Sequence, residues 1–265
     1  LKWVEMMLKD KVYPLNKCLL SAEKVQAQAD EMAHYQAEPF GGVPTIAYAE
    51  VFKKAREKGI LVLLDGQGSD EAWAGYDYYL SQSNSVVQGV STSPFRTDVL
   101  KPEFLALAEK PNYPTPFNDA LLDKQYRDLF YTKIPRALRF NDRVSMLHST
   151  ELREPFLDFR LVEYVFSREK DFKIKDGIQK WFLRKIAGKY LGDDITLAPK
   201  RPLQTPQREW LGSELQDWTK EQINKLEKSD WFDAEKLKAE TEKYMDGDQD
   251  NSFFIWQWIN AGMIL

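Results

Sequence analysis

The stretch GILVLLDGQGSDEAWAGYDYYL, residues 59–80, carries the strongest indication of the fold. Residues 60–64 form an apolar run that is too short for a helix and lies between two glycines, so they predict a fully buried strand. Gly66 and Gly68 come shortly after this run and allow a backbone to approach a ligand closely. A helix is expected to begin at Ser69, whose hydroxyl would cap its first turn. Since open α/β sheets bind ligands at the carboxyl ends of their strands, this corner predicts a ligand site.

The composition is that of a globular protein with one or two buried cores. The chain has 265 residues, of which 43% are hydrophobic and 13% aromatic. Its net charge of −4, with Lys and Arg spread along the chain, argues against a nucleic-acid-binding role. A single cysteine, Cys18, excludes an internal disulfide, and two distant histidines exclude most His/Cys zinc patterns, which favours a reducing compartment. The sequence shows neither a membrane-spanning run nor a signal peptide.

Most of the remaining chain is predicted to be helical, because apolar residues recur at helical spacing between capping residues. Asp158 and Asp176 are expected to cap the helices that follow them, the latter in a capping box with Gln179. The predicted helices cover residues 21–36, 45–58, 102–109, 118–133, 158–167, 176–192, 209–228, 233–245 and 252–262, the last of them buried.

The expected organisation is a partial α/β region followed by a helical part. The first covers residues 1–80 and the second residues 118–265, with a connecting segment or lid over residues 81–117. Residues 1–8 fit either a strand or the tail of another element, and residues 136–149 form a polar-rich run. Because the chain begins at Leu1 and not at Met, we expect upstream sequence to be absent.

The residues by themselves point to chemistry on phosphate groups. Carboxylates that hold Mg²⁺, together with a lysine that neutralises phosphate oxygens, are common in nucleotide chemistry. The acidic corner at Asp65 and Asp70 and the proline-bounded Lys200 and Arg201 provide these groups. No GxxxxGK[ST] occurs and no GxGxxG follows a strand, so the standard P-loop and dinucleotide sites are excluded. A tightly packed corner without ligand, and a structural salt bridge at Lys200, are the alternatives.

Five short motifs occur in order and are followed by an aromatic helix. They are EPFG at 38–41, GQGSDEAWAGY at 66–76, PRALRFNDRVSMLHSTELREPFLD at 135–158, Lys180 with Leu183 and Arg184, and Lys200 with Pro206 and EWL at 209–211; SFFIWQWIN closes the chain at 252–260. In these motifs the sequence resembles the synthetase domain of glutamine-hydrolysing asparagine synthetases, of the ATP-pyrophosphatase class. The resemblance implies an α/β, predominantly helical, adenine-nucleotide α-hydrolase-like domain fragment with few strands.

This resemblance also implies a reaction and its site residues. MgATP would adenylate the side-chain carboxylate of aspartate, and ammonia from a glutaminase domain would then release asparagine, AMP and pyrophosphate. The implied ATP and pyrophosphate contacts are Asp65, Gly66, Gly68, Ser69, Asp70 and Lys200, with Asp70 also holding Mg²⁺ and Lys200 acting catalytically. The implied aspartate-side pocket consists of Asp142, Arg143, Glu151 and Arg153, although Glu151 and Arg153 would equally form an internal ion pair. A cytoplasmic location follows, and a homodimer is compatible with the family.

Two departures from the family matter for the mechanism. Gln67 stands where many members have an acidic residue proposed to be the general base, and a primary amide is not basic at neutral pH. Near Lys200, Leu203 replaces the usual aromatic residue and Ala198 the usual Arg.

The chain also lacks two functional parts of the resembled family. The SGGxDS pyrophosphate loop is absent and Cys18 cannot replace the glutaminase cysteine, so we predict that the chain by itself does not turn over ATP. The alternative functions are a related amidotransferase that acts on a different carboxylate, or a non-catalytic helical binding module.

Overall fold

A computed structural model describes residues 1–80, 94–200, 205–248 and 251–265, and it is mostly helical, as expected for an α/β domain with few strands. The α-helices in these ranges are Lys2–Leu8 (α1), Ala22–Gln36 (α2), Val43–Glu57 (α3), Ser69–Ala72 (α4), Pro102–Leu105 (α5), Ala120–Phe130 (α6), Lys133–Leu147 (α7), Phe159–Phe166 (α8), Lys170–Lys173 (α9), Trp181–Leu191 (α10), Asp193–Thr196 (α11), Gln207–Gly212 (α12), Gln216–Asn224 (α13), Ala234–Met245 (α14) and Phe253–Ile264 (α15). The strands are Val62–Leu64 (β1), Glu151–Arg153 (β2), Ile174–Lys175 (β3) and Ile178–Gln179 (β4). Short 3-10 turns cover Asp77–Tyr79, Thr97–Val99, Pro155–Leu157 and Lys225–Lys228. Arg201, Leu203 and most of the predicted lid lie outside the described residues.

The strand of the opening stretch is shorter and more exposed than its sequence predicts. β1 pairs in parallel with β2, in the register Val62↔Glu151, Leu63↔Leu152 and Leu64↔Arg153. Leu63 packs against the main core, but Val62 and Leu64 are 39% and 74% exposed. The prediction of a fully buried strand is therefore wrong for the described residues. An unbroken apolar run is typical of a strand that is covered on both faces. Within the described residues β1 pairs only with β2, and the face that carries Val62 and Leu64 is exposed.

The main hydrophobic core lies between helices from both halves of the chain. Val25, Ala29 and Met32 of α2 are buried in one cluster with residues of α3, α13, α14 and α15, which confirms the predicted inner face of α2. Phe254, Ile255, Trp256, Trp258 and Ile259 of α15 are all at most 5% exposed. The prediction that the last helix is buried is thus confirmed for these residues, whereas Phe253, which was expected to be buried with them, is 45% exposed.

The EPFG turn is fixed in place by the last helix. The backbone N–H of Phe40 donates to Asn260 Oδ1 at 3.0 Å, and the Phe40 carbonyl accepts from Trp256 Nε1 at 3.0 Å and from Asn260 Nδ2 at 3.2 Å. The Phe40 ring also meets the edge of Trp256, with 5.6 Å between ring centroids. These contacts set the start of α3, which leads directly into β1 and the corner.

Several predicted element boundaries need correction. Asp176 does not cap a helix: with Gly177 it forms the turn of the β3–β4 hairpin, where both residues have positive φ, and α10 begins only at Trp181. Asp-Gly is a favoured sequence for such a two-residue turn. Residues 1–8 contain helix α1, and the polar-rich run 136–149 lies largely in α7. The helix predicted over residues 209–228 is broken into α12, α13 and a 3-10 turn.

Other caps agree with the sequence. The side chain of Asp158 accepts a hydrogen bond from the Arg160 N–H at 3.0 Å, as expected of an N-cap of α8. Gly59 has φ of +76° and follows the end of α3, as expected of a glycine that terminates a helix.

Candidate functional site

The corner after β1 turns sharply into α4. Gly68 occupies the N-cap position with φ of +88°, which a residue with a Cβ rarely adopts. A Cβ at Gly68 would also collide with the Leu157 side chain, so the loop packs tightly on the turn that follows β2. Ser69 is the first residue of the helix and makes no side-chain cap, which corrects the predicted cap.

Asp70 of α4 holds two lysines that come from distant parts of the chain. Lys200 Nζ lies 2.9 Å and Lys180 Nζ 3.0 Å from Asp70 Oδ1. Lys200 also donates to the Gly75 carbonyl at 2.8 Å and lies over the Tyr76 ring, 4.7 Å from its centroid. Burial raises the pKa of the Asp70 carboxyl, but the two ammonium groups outweigh this effect and hold the pKa below its ordinary value.

Asp70, Lys180 and Lys200 taken together carry one positive charge in excess. A lysine ammonium is a compact point charge with several donors, which suits binding to phosphate oxygens. The arrangement can therefore bind a polyanion next to the carboxyl end of β1. It also contains the salt bridge that the sequence offered as the structural alternative for Lys200.

Lys180 belongs to one of the motifs in the sequence, but the sequence alone predicts no role for it in the site. It has φ of +53°, an uncommon conformation for a lysine, and its Nζ also donates to Ser69 Oγ at 3.1 Å. The motif of Lys180 with Leu183 and Arg184 was the available signal. The pairing with Asp70 was invisible because the two residues are far apart in sequence and meet only through the tertiary fold.

The four residues of the expected aspartate-side pocket lie in three different settings. Glu151 and Arg153 pair with each other on β2 at 2.7 Å and are both exposed, which is the internal ion pair that the sequence allowed. Arg143 of α7 lies 3.0 Å from Glu38 of the EPFG turn. Asp142 lines a cavity of about 390 Å³ beside α7. Their contact with a substrate stays a prediction.

Gln67 lies at the edge of a larger cavity of about 790 Å³. The aromatic residues that line this cavity include Phe40, Tyr48, Phe140 and Trp256. Its other lining residues include Glu71, Tyr76, Lys133, Arg136 and Gln207. The described part of the chain thus places Gln67 beside a space with both aromatic and cationic walls.

Tyr76 and Glu71 connect this cavity to the corner. The Tyr76 hydroxyl donates to Glu71 Oε1 at 2.6 Å. Glu71 is 2% exposed, and this burial raises the pKa of its carboxyl. Buried Gln125 of α6 donates from Nε2 to the Glu71 and Ala72 carbonyls at 2.6 and 2.7 Å, and these hydrogen bonds attach α4 to α6.

Comparison with known proteins identifies the family. The sequence model of the family described as asparagine synthase matches residues 3–265. The chain belongs to the asparagine synthase family. Two members from Bacillus subtilis (strain 168) are similar to it. Asparagine synthetase [glutamine-hydrolyzing] 3 is 29% identical over 217 residues, covering 76% of this chain and 35% of that protein. Asparagine synthetase [glutamine-hydrolyzing] 1 is 22% identical over 288 residues, covering 90% of this chain and 45% of that protein.

A third similar protein carries a different name. The amidase chyE of Penicillium rubens is 33% identical over 106 residues, covering 36% of this chain and 16% of that protein. The chain therefore spans less than half the length of each of these three relatives. Membership of the asparagine synthase family confirms the resemblance seen in the motifs.

Two further observations bear on the site. Within the described ranges, no group of three or more His, Cys, Asp or Glu side chains is arranged to hold a metal ion. The described helices also include none that is long and apolar enough to cross a membrane.

Proposed function

We propose that this chain is part of an ATP-dependent ligase that adenylates the side-chain carboxylate of aspartate and passes it to ammonia, giving asparagine, AMP and pyrophosphate. The observation that carries this proposal is the cluster of Asp70, Lys180 and Lys200 at the carboxyl end of β1, in a chain of the asparagine synthase family. In this proposal the fold is that of an adenine-nucleotide α-hydrolase, with the two lysines on the pyrophosphate. Preorganised positive charge of this kind is usually a large catalytic contribution.

Each residue at the corner has a proposed task that its position supports. Asp65, Gly66, Gly68 and Ser69 line the nucleotide, since a loop with two glycines presents backbone to a ligand. Lys200 stabilises charge on the transferring phosphate, and the Gly75 carbonyl and Tyr76 ring hold its ammonium group in position. Lys180, whose ammonium group pairs with the same oxygen of Asp70, shares that task.

The single carboxylate of Asp70 would hold Mg²⁺ only together with phosphate oxygens of a bound nucleotide. Proteins commonly hold Mg²⁺ through one or two carboxylates plus substrate phosphates, and Asp70 is the described carboxylate in position for this role. The ion would neutralise phosphate charge when bound. Before that, Asp70 serves as the counterion of the two lysines.

The proposal is tested on the complete gene product, with and without Lys200→Ala. We expect pyrophosphate release that depends on ATP and aspartate, and a loss of at least about 100-fold in the variant, as for removal of one preorganised donor. Lys189→Ala is the matched control, because Lys189 is an exposed lysine on α10. The isolated chain is expected to release no pyrophosphate, since it lacks the SGGxDS loop. Release by the isolated chain that Lys200→Ala abolishes would contradict this expectation.

A related amidotransferase acting on another carboxylate is the second candidate. The cavity beside Gln67, of about 790 Å³ and lined in part by aromatic residues, favours it, because aspartate is small and its side chain has only one methylene group to place there. The same assay run with larger carboxylates separates the two candidates. Faster release with an aromatic or aliphatic carboxylate than with aspartate supports the second, and no ATP turnover with any carboxylate supports a binding module.

A further inference from the structure

The ends of β1 and β2 bring together two carboxylates, of which Asp65 accepts one hydrogen bond, from the Gly66 N–H to Oδ1 at 2.6 Å, and keeps its second oxygen without a donor. Asp65 and Glu154 directly follow the paired residues Leu64 and Arg153, and the Asp65 N–H donates to the Arg153 carbonyl at 2.9 Å. The strand register therefore continues and sets Asp65 beside Glu154. Both Glu154 carboxylate oxygens and Asp65 Oδ2 are buried and have no partner among the described residues. Buried polar atoms without a partner are uncommon and often mark a functional site.

An unsatisfied amide lies in the same place. Glu154 and Asn141 of α7 line the cavity of about 390 Å³ together with Leu138, Arg139, Asp142 and Leu152. Asn141 is only 6% exposed, and its Nδ2 has no partner in the described part of the chain. Asn141 also lines the larger cavity that contains Gln67. A polar ligand at this point would meet an amide donor and a carboxylate acceptor, the pair of groups that an amine or a carbonyl requires.

Glu154 is held next to the loop that carries Gln67. The turn Pro155–Leu157 begins at Glu154, whose carbonyl accepts from the Leu157 N–H at 2.9 Å. Leu157 in turn packs so tightly on Gly68 that a Cβ there would collide with it. Gln67 stands where many members of the resembled family have an acidic residue. The Glu154 carboxylate, which follows β2, therefore lies near this position.

The surroundings of Glu154 make its carboxylate a base that works near neutral pH. Burial, and then the negative charge of Asp65, raise the pKa of Glu154 to about 7. The Gln67 backbone N–H offsets part of this rise, although it does not reach the geometry of an ordinary hydrogen bond. A catalytic base is most effective when its pKa is close to the working pH.

Other charged or titratable groups around Glu154 come from α3 and α7. Burial and then the charges of Asp65 and Glu154 raise the pKa of Tyr48 on α3. Arg139 and Asp142 of α7 line the cavity, and the Arg139 Nε donates to Glu38 at 2.7 Å. The Arg139 guanidinium is thus engaged by a carboxylate of its own and leaves the Glu154 carboxylate without a salt bridge in the described ranges.

We propose that Glu154 is the general base that removes the proton from the attacking amine, in place of the acidic residue that Gln67 replaces. This role rests on the proposed function. In the step concerned, the amine nitrogen bonds to the carbonyl carbon of the acyl adenylate. The carbon–oxygen bond to AMP then breaks, its electron pair stays on the phosphate oxygen, and the surplus N–H proton passes to the Glu154 carboxylate. Gln67 positions the amine through its amide oxygen.

The test separates adenylation from amine transfer in the complete gene product. Glu154→Gln keeps the shape of the side chain but removes its basicity. We expect carboxylate-dependent ATP–pyrophosphate exchange, measured without ammonia, to change by less than about twofold, because no amine takes part. Amide formation from ammonia should fall by about 100-fold, the usual contribution of a general base. Glu163→Gln, an exposed glutamate on α8, is the matched control.

The pH profile supplies a second readout. At a constant concentration of free NH₃, amide formation by the parent protein should rise with pH through about 7, because the base must be ionised. Glu154→Gln should lose this inflection. If the variant does not fold, NMR titration of the Glu154 carboxyl in the parent decides: a midpoint near 7 agrees with the role, and an ordinary glutamate midpoint overturns it.

The experiment distinguishes a failure of the role of Glu154 from a failure of the proposed function. Equal losses of exchange and amide formation, or unchanged amide formation, in Glu154→Gln would overturn the role of Glu154 and leave the proposed function standing. A parent protein without carboxylate-dependent exchange would overturn both.

Discussion

At the scale of single residues, the position of the Asp70 carboxylate depends on the absence of a side chain at Gly75. A Cβ at Gly75 would collide with both the Asp70 carboxylate and the Lys180 side chain. The Gly75 carbonyl also accepts from Lys200, so this one position touches all three charged groups of the site. A side chain at position 75 would therefore have to displace the Asp70 carboxylate and the end of the Lys180 side chain, whereas the backbone there does not need glycine, since its φ is not among the positive ones.

Lys173 gives the chain a pH-dependent stability. It is 1% exposed, and its Nζ donates to Gln125 Oε1 at 3.1 Å and to the Phe166 carbonyl at 3.2 Å, both uncharged groups. Burial lowers the pKa of Lys173 from 10.5 to about 8, although the more distant Asp119 acts against this. Between these two pH values the unfolded chain binds more protons than the folded one, so stability rises with pH.

We therefore expect the free energy of unfolding to increase between pH 8 and about pH 10. The increase should be absent in Lys173→Met, which has a similar shape and no charge. Urea denaturation of both proteins across this range measures it, and the difference between them removes the contribution of titrating tyrosines. A parent protein whose stability falls relative to the variant over this range would contradict the prediction.

At the scale of elements, α15 stabilises the EPFG turn through Asn260. Its side chain satisfies both the N–H and the carbonyl of Phe40 from a position that is 4% exposed. Asn260→Ala would leave the Phe40 N–H buried without a partner, which costs about 1–3 kcal/mol per unsatisfied group. We expect a loss of this size in the free energy of unfolding measured with urea. Gln257→Ala on the exposed side of the same helix is the control, with a change within about 0.5 kcal/mol.

The sequence predicts elements well where one local signal governs them. Asp158 caps α8 as expected because a cap is a contact over two or three residues. Asp176 carries the same signal, yet with Gly177 it also fits a hairpin turn, and tertiary pairing of β3 with β4 decides between them. The run 136–149 predicts no helix because it is rich in polar residues, although two of its charged residues, Arg139 and Arg143, pair with Glu38 of the EPFG turn from within α7.

The residues of the candidate site likewise fall into those that a local motif predicts and those that only the tertiary fold brings together. Motif order identifies the corner and Lys200, which meet in the structure. Lys180 and Glu154 gain their positions from contacts across the fold, with Asp70 and Asp65 respectively. Local spacing contains no trace of these two pairings.

At the scale of the whole molecule, β1 is an exposed apolar edge. Ile60, Leu61 and Leu64 are 44%, 52% and 74% exposed, and within the described residues only β2 pairs with the strand. An uncovered apolar strand edge is a template for pairing with another chain. We expect the isolated chain to self-associate at micromolar concentration, as measured by light scattering. Leu64→Lys should reduce this association, since a charge on an edge strand opposes pairing. A monodisperse monomer would contradict the expectation.

The hydrogen bonds between Phe40 and Asn260 also bear on how the chain is made. They join residues 220 positions apart, so the turn that leads into the candidate site is held by residues that are synthesised long after it. Contacts of such long sequence separation form slowly, and the surfaces that await them stay open to aggregation in the meantime. Because α15 supplies the middle of the main core, translation of this region must end before that core can close.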